Sequence, residues 1–316
     1  INPIKWFVGD DWQEAAEGLR ELSVQAEQIA EDHVGHPAFI DTAVTSILTR
    51  ISQVQMLVDD SSANFSKVGP EGNWEQLEGG YNGSATWTYN EALNVRNSGR
   101  WQFDLPEAGL YRIDLYIPPS AENLPSYTQS ARYTVFHFDQ LEPRKLDMQS
   151  AEGGWLDMGV FYLEDNGEEY VELGDLTSEP SGEAVLVYDA LRLTPEEMRD
   201  EYYQASPGTG LVYKVVLPGE TASLEFGVTN SGVIPWYEAE NYTFQPAGTT
   251  KFSLPIFPIT QTVLPGQSLQ FSLDIPVSEA ALGGLETIQY VVARSGTTLE
   301  TPFNAYLFVL PPQLAD

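Results

Sequence analysis

The chain has 316 residues, a hydrophobic content of 42% and no cysteine. This length is enough for two or three domains, and the composition is that of a globular rather than a disordered protein. The net charge of −31 opposes binding to nucleic acid phosphates and to anionic membranes, so we exclude both as partners. The absence of a run of about 18 apolar residues excludes a transmembrane helix, and the absence of cysteine excludes disulfides and thiolate metal sites.

The acidic excess is concentrated in the middle of the chain. Residues 58–206 contain 28 acidic and nine basic side chains, whereas residues 1–57 and 207–316 each contain nine acidic and three basic ones. We interpret this excess as the solvated surface of a secreted or cell-surface protein. Calcium binding is the alternative, because Ca²⁺ prefers clustered oxygen ligands. Residue 1 is isoleucine and no signal-peptide pattern is present, so we expect a processed product or a fragment, and a prokaryotic source.

Residues 1–57 are predicted to form an apolar arm followed by two helices. Apolar residues at three- and four-residue spacing predict helices over 11–33 and 38–57, which would form an αα-hairpin. Two helices bury too little surface to stand alone, so we expect the hairpin to pack on another domain or on a second copy of the chain. The arm is either an edge piece of its own domain or a segment that contacts a neighbouring subunit. The candidate assembly residues are Ile1, Ile4, Trp6, Phe7 and Val8.

Residues 58–195 are predicted to fold as an antiparallel, jelly-roll-like β-sandwich. Apolar and polar residues alternate with period two, and turn residues separate the alternating segments. The last segment, Tyr188-Asp189-Ala190-Leu191-Arg192, buries one face and places a carboxylate on the strand. We expect strands near 84–90, 100–104, 110–117, 131–138, 144–148, 158–163, 169–173 and 184–193.

A set of short motifs occurs in order along this segment. They are Val58-Asp59-Asp60, Phe65, Gly72-Asn73-Trp74, Tyr81-Asn82, Ala85-Thr86-Trp87, Trp101, residues 105–111, Ala131-Arg132-Tyr133-Thr134-Val135, Gly154-Trp155-Leu156, Met158-Gly159 and Tyr188-Asp189-Ala190. This order resembles the golvesin C-terminal / xanthan-lyase carbohydrate-binding-like domain. The resemblance implies a β-sandwich with a carbohydrate-binding-like role.

Aromatic residues in loops are the candidates for sugar contacts, because carbohydrate modules stack sugars on exposed rings. Trp74 and Tyr81 lie in loops rich in glycine and asparagine and are the predicted carbohydrate-binding residues. Trp101 and Trp155 fall at core positions by strand alternation. The candidate calcium ligands are Asp59, Asp60, Glu164, Asp165 and Glu168; no other cofactor is expected.

Residues 211–316 are predicted to form a second β-sandwich after a linker at 196–210. Strands separated by Pro-Gly, Ser-Gly and Ala-Gly turns about ten residues apart are typical of an immunoglobulin-like fold. Pro218-Gly219-Glu220, residues 228–232 with Trp236, and Pro265-Gly266-Gln267 resemble the Ig-like domain of the NBR1 central type. This resemblance implies a spacer or interaction module and names no ligand.

No catalytic motif is present in the sequence. There is no nucleophile elbow, no phosphate-binding glycine loop, and no histidine near a serine–acid set, so we expect a non-catalytic protein. Two hypotheses follow. The first is a self-assembling subunit of an extracellular filament, sheath or surface layer, joined through residues 1–57. The second is a carbohydrate-binding accessory region of a larger secreted enzyme or adhesin.

Overall fold

The computed structural model describes residues 56–121, 124–208, 210–299 and 302–311. Within these residues the structure is mainly antiparallel β-sheet, which confirms the predicted fold class. The chain divides into two compact units, Ile1–Glu197 and Met198–Asp316. The predicted helical hairpin and the arm residues Ile1, Ile4, Trp6, Phe7 and Val8 lie outside the described residues. In the described part, no helix has the length and apolar character needed to cross a membrane.

The first unit contains strands β1 to β12. Their bounds are β1 Met56–Val58, β2 Phe65–Val68, β3 Glu75–Glu78, β4 Ser84–Tyr89, β5 Ser98–Gln102, β6 Gly109–Ile117, β7 Ala131–His137, β8 Gln140–Leu146, β9 Gly154–Leu163, β10 Tyr170–Gly174, β11 Val185–Tyr188 and β12 Leu191–Pro195. They form three antiparallel sheets with the orders β1-β12-β6-β9, β2-β5-β10-β7-β8 and β11-β4-β3. The strands predicted between 84 and 173 are found, but the single strand predicted over 184–193 is instead two strands, β11 and β12, in different sheets. Strands β1, β2 and β3 are additional because each has only three or four residues and too little alternation to recognise.

Aromatic side chains join the second and third of these sheets in the core. The rings of Trp101 on β5 and Tyr188 on β11 stack with centroids 6.0 Å apart, and Phe65 on β2 contacts both. Trp101 is 1% exposed, as predicted, and its indole Nε1 donates a 2.7 Å hydrogen bond to the main-chain carbonyl of Asp189. This bond fixes the β11–β12 connection against the core.

The second unit contains strands β13 to β21. Their bounds are β13 Ala205–Pro207, β14 Val212–Val216, β15 Thr221–Asn230, β16 Tyr242–Ala247, β17 Phe257–Pro258, β18 Ser268–Pro276, β19 Gly284–Arg294, β20 Thr297–Thr298 and β21 Phe303–Val309. One sheet has the order β13-β15-β18, and the other has the order β14-β21-β19-β16-β17 with β20 paired to β19. The predicted linker therefore contains β13.

Two facing sheets in the second unit enclose an aromatic core. Phe226 on β15 and Phe271 on β18 contact Phe244 on β16, with centroids 5.5 Å and 4.7 Å away. Tyr290 on β19 stacks on the same Phe244 ring at 4.6 Å. Residues from both sheets thus meet in a β-sandwich. The finer resemblance to an NBR1-type domain stays a prediction.

Candidate functional site

Three aromatic rings of the first unit meet at its surface, and we call this group the aromatic platform. It consists of Tyr81, Tyr116 and Trp155. Each pair of rings is in an edge-to-face arrangement with centroids 5.3 to 5.5 Å apart. Tyr81 is 42% exposed, while the other two are half-buried. Mutual edge-to-face packing holds the rings in a defined geometry.

The pairing of β6 with β9 places two platform residues side by side. Tyr116 lies directly opposite Trp155 in the antiparallel register. Cross-strand neighbours on one face of a sheet have Cβ atoms about 5 Å apart, so their side chains contact each other. Tyr116 points away from the core because its neighbours Leu115 and Ile117 are core residues.

Trp155 was predicted to be a core residue, and this prediction is wrong. The register of β6 and β9 shifts so that Ile113 pairs with Gly159 and Asp114 with Asp157, leaving Met158 as an extra residue in β9. A β-bulge of this kind reverses which residues face inward on its far side. Core-facing positions are accordingly Phe161 and Leu163 after the bulge but Leu156 and Met158 before it. Gly159 has a φ of +113°, a conformation that favours glycine.

The third platform residue is held by a short glycine-rich turn between β3 and β4. The main-chain amide of Gly79 donates to the carbonyl of Gly83, and both glycines have positive φ. The amide of Tyr81 donates to both carboxylate oxygens of Asp189, at 3.2 and 3.0 Å. The predicted position of Tyr81 in an exposed loop is therefore found, and the loop is tied to the β11–β12 connection.

Charged groups lie beside the platform. The guanidinium carbon of Arg192 is 4.1 Å from the centre of the Trp155 ring. Arg192 Nε also donates a 2.9 Å hydrogen bond to Oδ2 of Asp114, a buried carboxylate that Arg112 approaches to 3.6 Å. The site therefore combines aromatic surface with a planar donor group and a carboxylate, which are the groups that bind hydroxyl-rich ligands.

Trp74, the other predicted sugar-binding residue, is placed differently. Its ring is half-buried and packs edge-on against Tyr188, with centroids 5.0 Å apart. Lys67 Nζ lies 5.8 Å from the centre of the Trp74 ring. These contacts put Trp74 at the edge of the core, and its role in sugar binding remains a prediction.

The predicted calcium ligands fall into two groups. Asp59 and Asp60 follow β1, and one oxygen of each lies within 4.8 Å of the other and of an oxygen of Asp189. Burial, with the nearby charges of Asp60 and Asp59, raises the pKa of Asp189 to about 7, although the Tyr81 amide favours its charged form. We call these three residues the carboxylate cluster. The sequence pattern placed Asp189 on a strand but did not predict that it lies beside Asp59 and Asp60, about 130 positions away.

The second group of predicted ligands lies in the turn between β9 and β10. Glu164 accepts a 3.2 Å hydrogen bond from Asn166, whose own side-chain oxygen accepts from the amide of Glu168. Asp165 and Glu168 are exposed. Among the described residues, these turn carboxylates do not converge as the carboxylate cluster does.

Three comparisons with known proteins bear on this unit. Residues 56–195 match the model of the Golvesin C-terminal domain family, and no curated protein matches the chain. Among solved structures, a Paenibacillus xanthan lyase is 16% identical with a TM-score of 0.38, over 46% of this chain and 13% of that one. A Bacteroides uniformis β-glucuronidase is 12% identical with a TM-score of 0.20, over 80% of this chain and 32% of that one.

The alignments to the xanthan lyase and the β-glucuronidase therefore span much less than two thirds of those proteins. The family match begins at the first residue of β1 and ends at the last residue of β12. It thus includes every strand of the first unit, the aromatic platform and the carboxylate cluster. Residues 56–195 are therefore similar to the Golvesin C-terminal domain family over the whole of this strand set.

Proposed function

We propose that the first unit is a carbohydrate-binding accessory domain that contacts polysaccharide through the aromatic platform. The observation that carries this proposal is the convergence of Tyr81, Tyr116 and Trp155 beside Arg192. Sugar rings present C–H groups that pack on aromatic faces and hydroxyls that bond to charged side chains. The sequence resemblance to a carbohydrate-binding-like family supports the same role.

The negative charge of the chain indicates which polysaccharides should bind best. The net charge is −31, and residues 58–206 hold most of the acidic excess. Such a field repels polyanions at low ionic strength, where the Debye length is long. We therefore expect neutral polysaccharides to bind better than uronic-acid-rich ones, and added salt to reduce that preference.

Binding can be measured by affinity electrophoresis and by pull-down with a panel of neutral and anionic polysaccharides. Tyr81→Ala and Trp155→Ala are each expected to weaken binding at least tenfold, about 1.4 kcal/mol, because central aromatic residues dominate such contacts. Tyr89→Ala is the matched control, since Tyr89 is 49% exposed on β4 and contacts Trp87 rather than the platform. Circular dichroism checks that each variant is folded.

Two results would contradict this proposal. One is the absence of binding to every polysaccharide in the panel by the wild-type chain. The other is binding that survives both platform substitutions. Binding that depends on Trp74 instead, tested by Trp74→Ala, would move the site to the other predicted aromatic residue.

Secretion to the cell exterior is part of this proposal, because a domain that binds polysaccharides encounters them outside the cell. The filament hypothesis rests on residues 1–57, of which only residues 56 and 57 are described, and it stays a prediction. Size-exclusion chromatography and electron microscopy at high protein concentration test it. A monomer under these conditions would argue against assembly.

A further inference from the structure

We propose that Asp59, Asp60 and Asp189 form a binding site for one calcium ion. One carboxylate oxygen of each residue lies within 4.8 Å of the others. Calcium binds oxygen ligands at about 2.3–2.6 Å, so two oxygens on opposite sides of the ion are about 5 Å apart. A single calcium ion can therefore reach all three carboxylates.

The topology of the unit creates this convergence. Strand β1 pairs with β12 so that Val58 lies opposite Leu191. Asp59 leaves one strand at the point where the chain enters the other through Asp189 and Ala190. Residues far apart in sequence thus meet at one end of an antiparallel pair, which is fixed by the sheet rather than by a flexible loop.

Unpaired buried oxygens point to a missing ligand. Asp59 is 2% exposed; its Oδ1 accepts hydrogen bonds from the amide and hydroxyl of Ser61, but its buried Oδ2 has no hydrogen-bond partner. Oδ1 of Asp60 is also buried and without a partner, whereas its Oδ2 accepts a 2.5 Å bond from Thr86. Buried polar atoms in proteins are nearly always paired, so these two oxygens call for a cation or a proton.

Among the residues with described positions, direct ion pairs do not neutralise the carboxylate cluster. No salt bridge within 4.0 Å joins Asp59, Asp60 or Asp189 to a basic side chain in the part of the chain that the structure describes. Negative charge on the buried Asp59 and Asp189 and the half-buried Asp60 is strongly unfavourable without a counter-ion. A bound divalent cation would neutralise two of them.

The ligand chemistry favours calcium among the common cations. The cluster offers only carboxylate oxygens, with the hydroxyls of Ser61 and Thr86 bonded to two of its members, and the chain has no cysteine. All-oxygen sites suit hard cations, and calcium accepts irregular geometry more readily than magnesium. The ion would also stabilise the aromatic platform, because the amide of Tyr81 donates a hydrogen bond to Asp189.

Calcium binding can be tested on the full chain after treatment with a chelator, without any polysaccharide present. Isothermal titration calorimetry should show one saturable calcium site. Terbium, which replaces calcium, should give luminescence sensitised by Trp101, whose indole bonds to the Asp189 carbonyl. Asp59→Asn and Asp60→Asn are each expected to weaken binding at least tenfold. Glu168→Gln, in the exposed β9–β10 turn, is the matched control and should bind like the wild type.

The outcomes separate this inference from its alternatives. If the wild type shows no saturable site, or if binding persists in both Asp variants, the inference is overturned. If a proton rather than calcium compensates the cluster, calcium will not raise the melting temperature of the wild type, and Asp189→Asn will be at least as stable as the wild type. Should Asp59→Asn fail to fold, the half-buried Asp60→Asn and the wild-type titration still decide the question.

Discussion

Glu169 is a buried carboxyl whose ionisation should set part of the pH dependence of stability in the first unit. It precedes β10 and is only 1% exposed. Burial, with added repulsion from Glu164 and Asp165, raises its pKa from 4.5 to about 8, although the nearby main-chain amide of Glu164 partly offsets this. Burial, with the nearby charges of Glu107 and Asp165, also raises the pKa of Tyr111 to about 12. The carboxyl is therefore neutral in the folded protein at pH 6.

The sign and size of the effect follow from this raised pKa. In the unfolded chain the carboxyl ionises near pH 4.5, and in the folded state near pH 8. Between these values the folded state binds more protons, so the free energy of unfolding decreases as the pH rises through this window. At 1.36 kcal/mol per pH unit, the loss between pH 4.5 and 8 is roughly 3–5 kcal/mol.

Replacing Glu169 with glutamine tests this reasoning, because glutamine has the shape of the neutral acid and does not ionise. Glu169→Gln should match the wild type near pH 5 and exceed its free energy of unfolding by roughly 3–5 kcal/mol near pH 9. Urea denaturation followed by tryptophan fluorescence measures the free energy of unfolding of each protein at both pH values. Glu168→Gln, with an exposed side chain, is the control and should show no such divergence. A difference between Glu169→Gln and the wild type that does not grow with pH would refute the argument.

Three further substitutions have defined expectations. Gly159→Ala should lower the free energy of unfolding by about 1–3 kcal/mol, because the positive φ at the bulge is strained for any residue with a Cβ, and thermal denaturation measures this. Burial opposes ionisation of Glu179, but hydrogen bonds from neighbouring hydroxyls and an amide outweigh it and hold its pKa at about 2. Glu179→Gln should therefore cost about 1–2 kcal/mol above pH 4.5, and the difference from the wild type should disappear as the pH falls to 2. Buried Asn230 bonds to two carbonyls and one amide, so Asn230→Ala should cost about 2–4 kcal/mol in the second unit, with Trp236 fluorescence as the reporter.

Much of the β-architecture was accessible from local pattern alone. The segment 109–117 alternates apolar and polar residues after a turn, and it forms β6 with Tyr111, Ile113 and Leu115 in the core. Trp101 was correctly placed inside because β5 keeps its alternation. Such features depend on neighbours within a few residues, which is the range over which sequence periodicity carries information.

The candidate site was only partly accessible. Tyr81 was identified because glycine and asparagine residues predict an exposed loop around it. Trp155 was assigned to the core because alternation of apolar positions does not reveal a β-bulge. The carboxylate cluster depends on the pairing of β1 with β12, which brings Asp59 next to Asp189 across most of the domain. Strand order is a property of the whole fold, so local composition cannot supply it.

The unpaired Met158 means that the outward direction of Trp155 depends on the bulge in β9 rather than on residue type. Straightening β9 without removing a residue would turn the indole into the interior, whereas deleting Met158 would keep Trp155 opposite Tyr116 and leave the indole outward. A related chain can therefore lack the extra residue and still keep this surface. Counting alternate positions without checking strand register would assign the same tryptophan to opposite faces in two such chains.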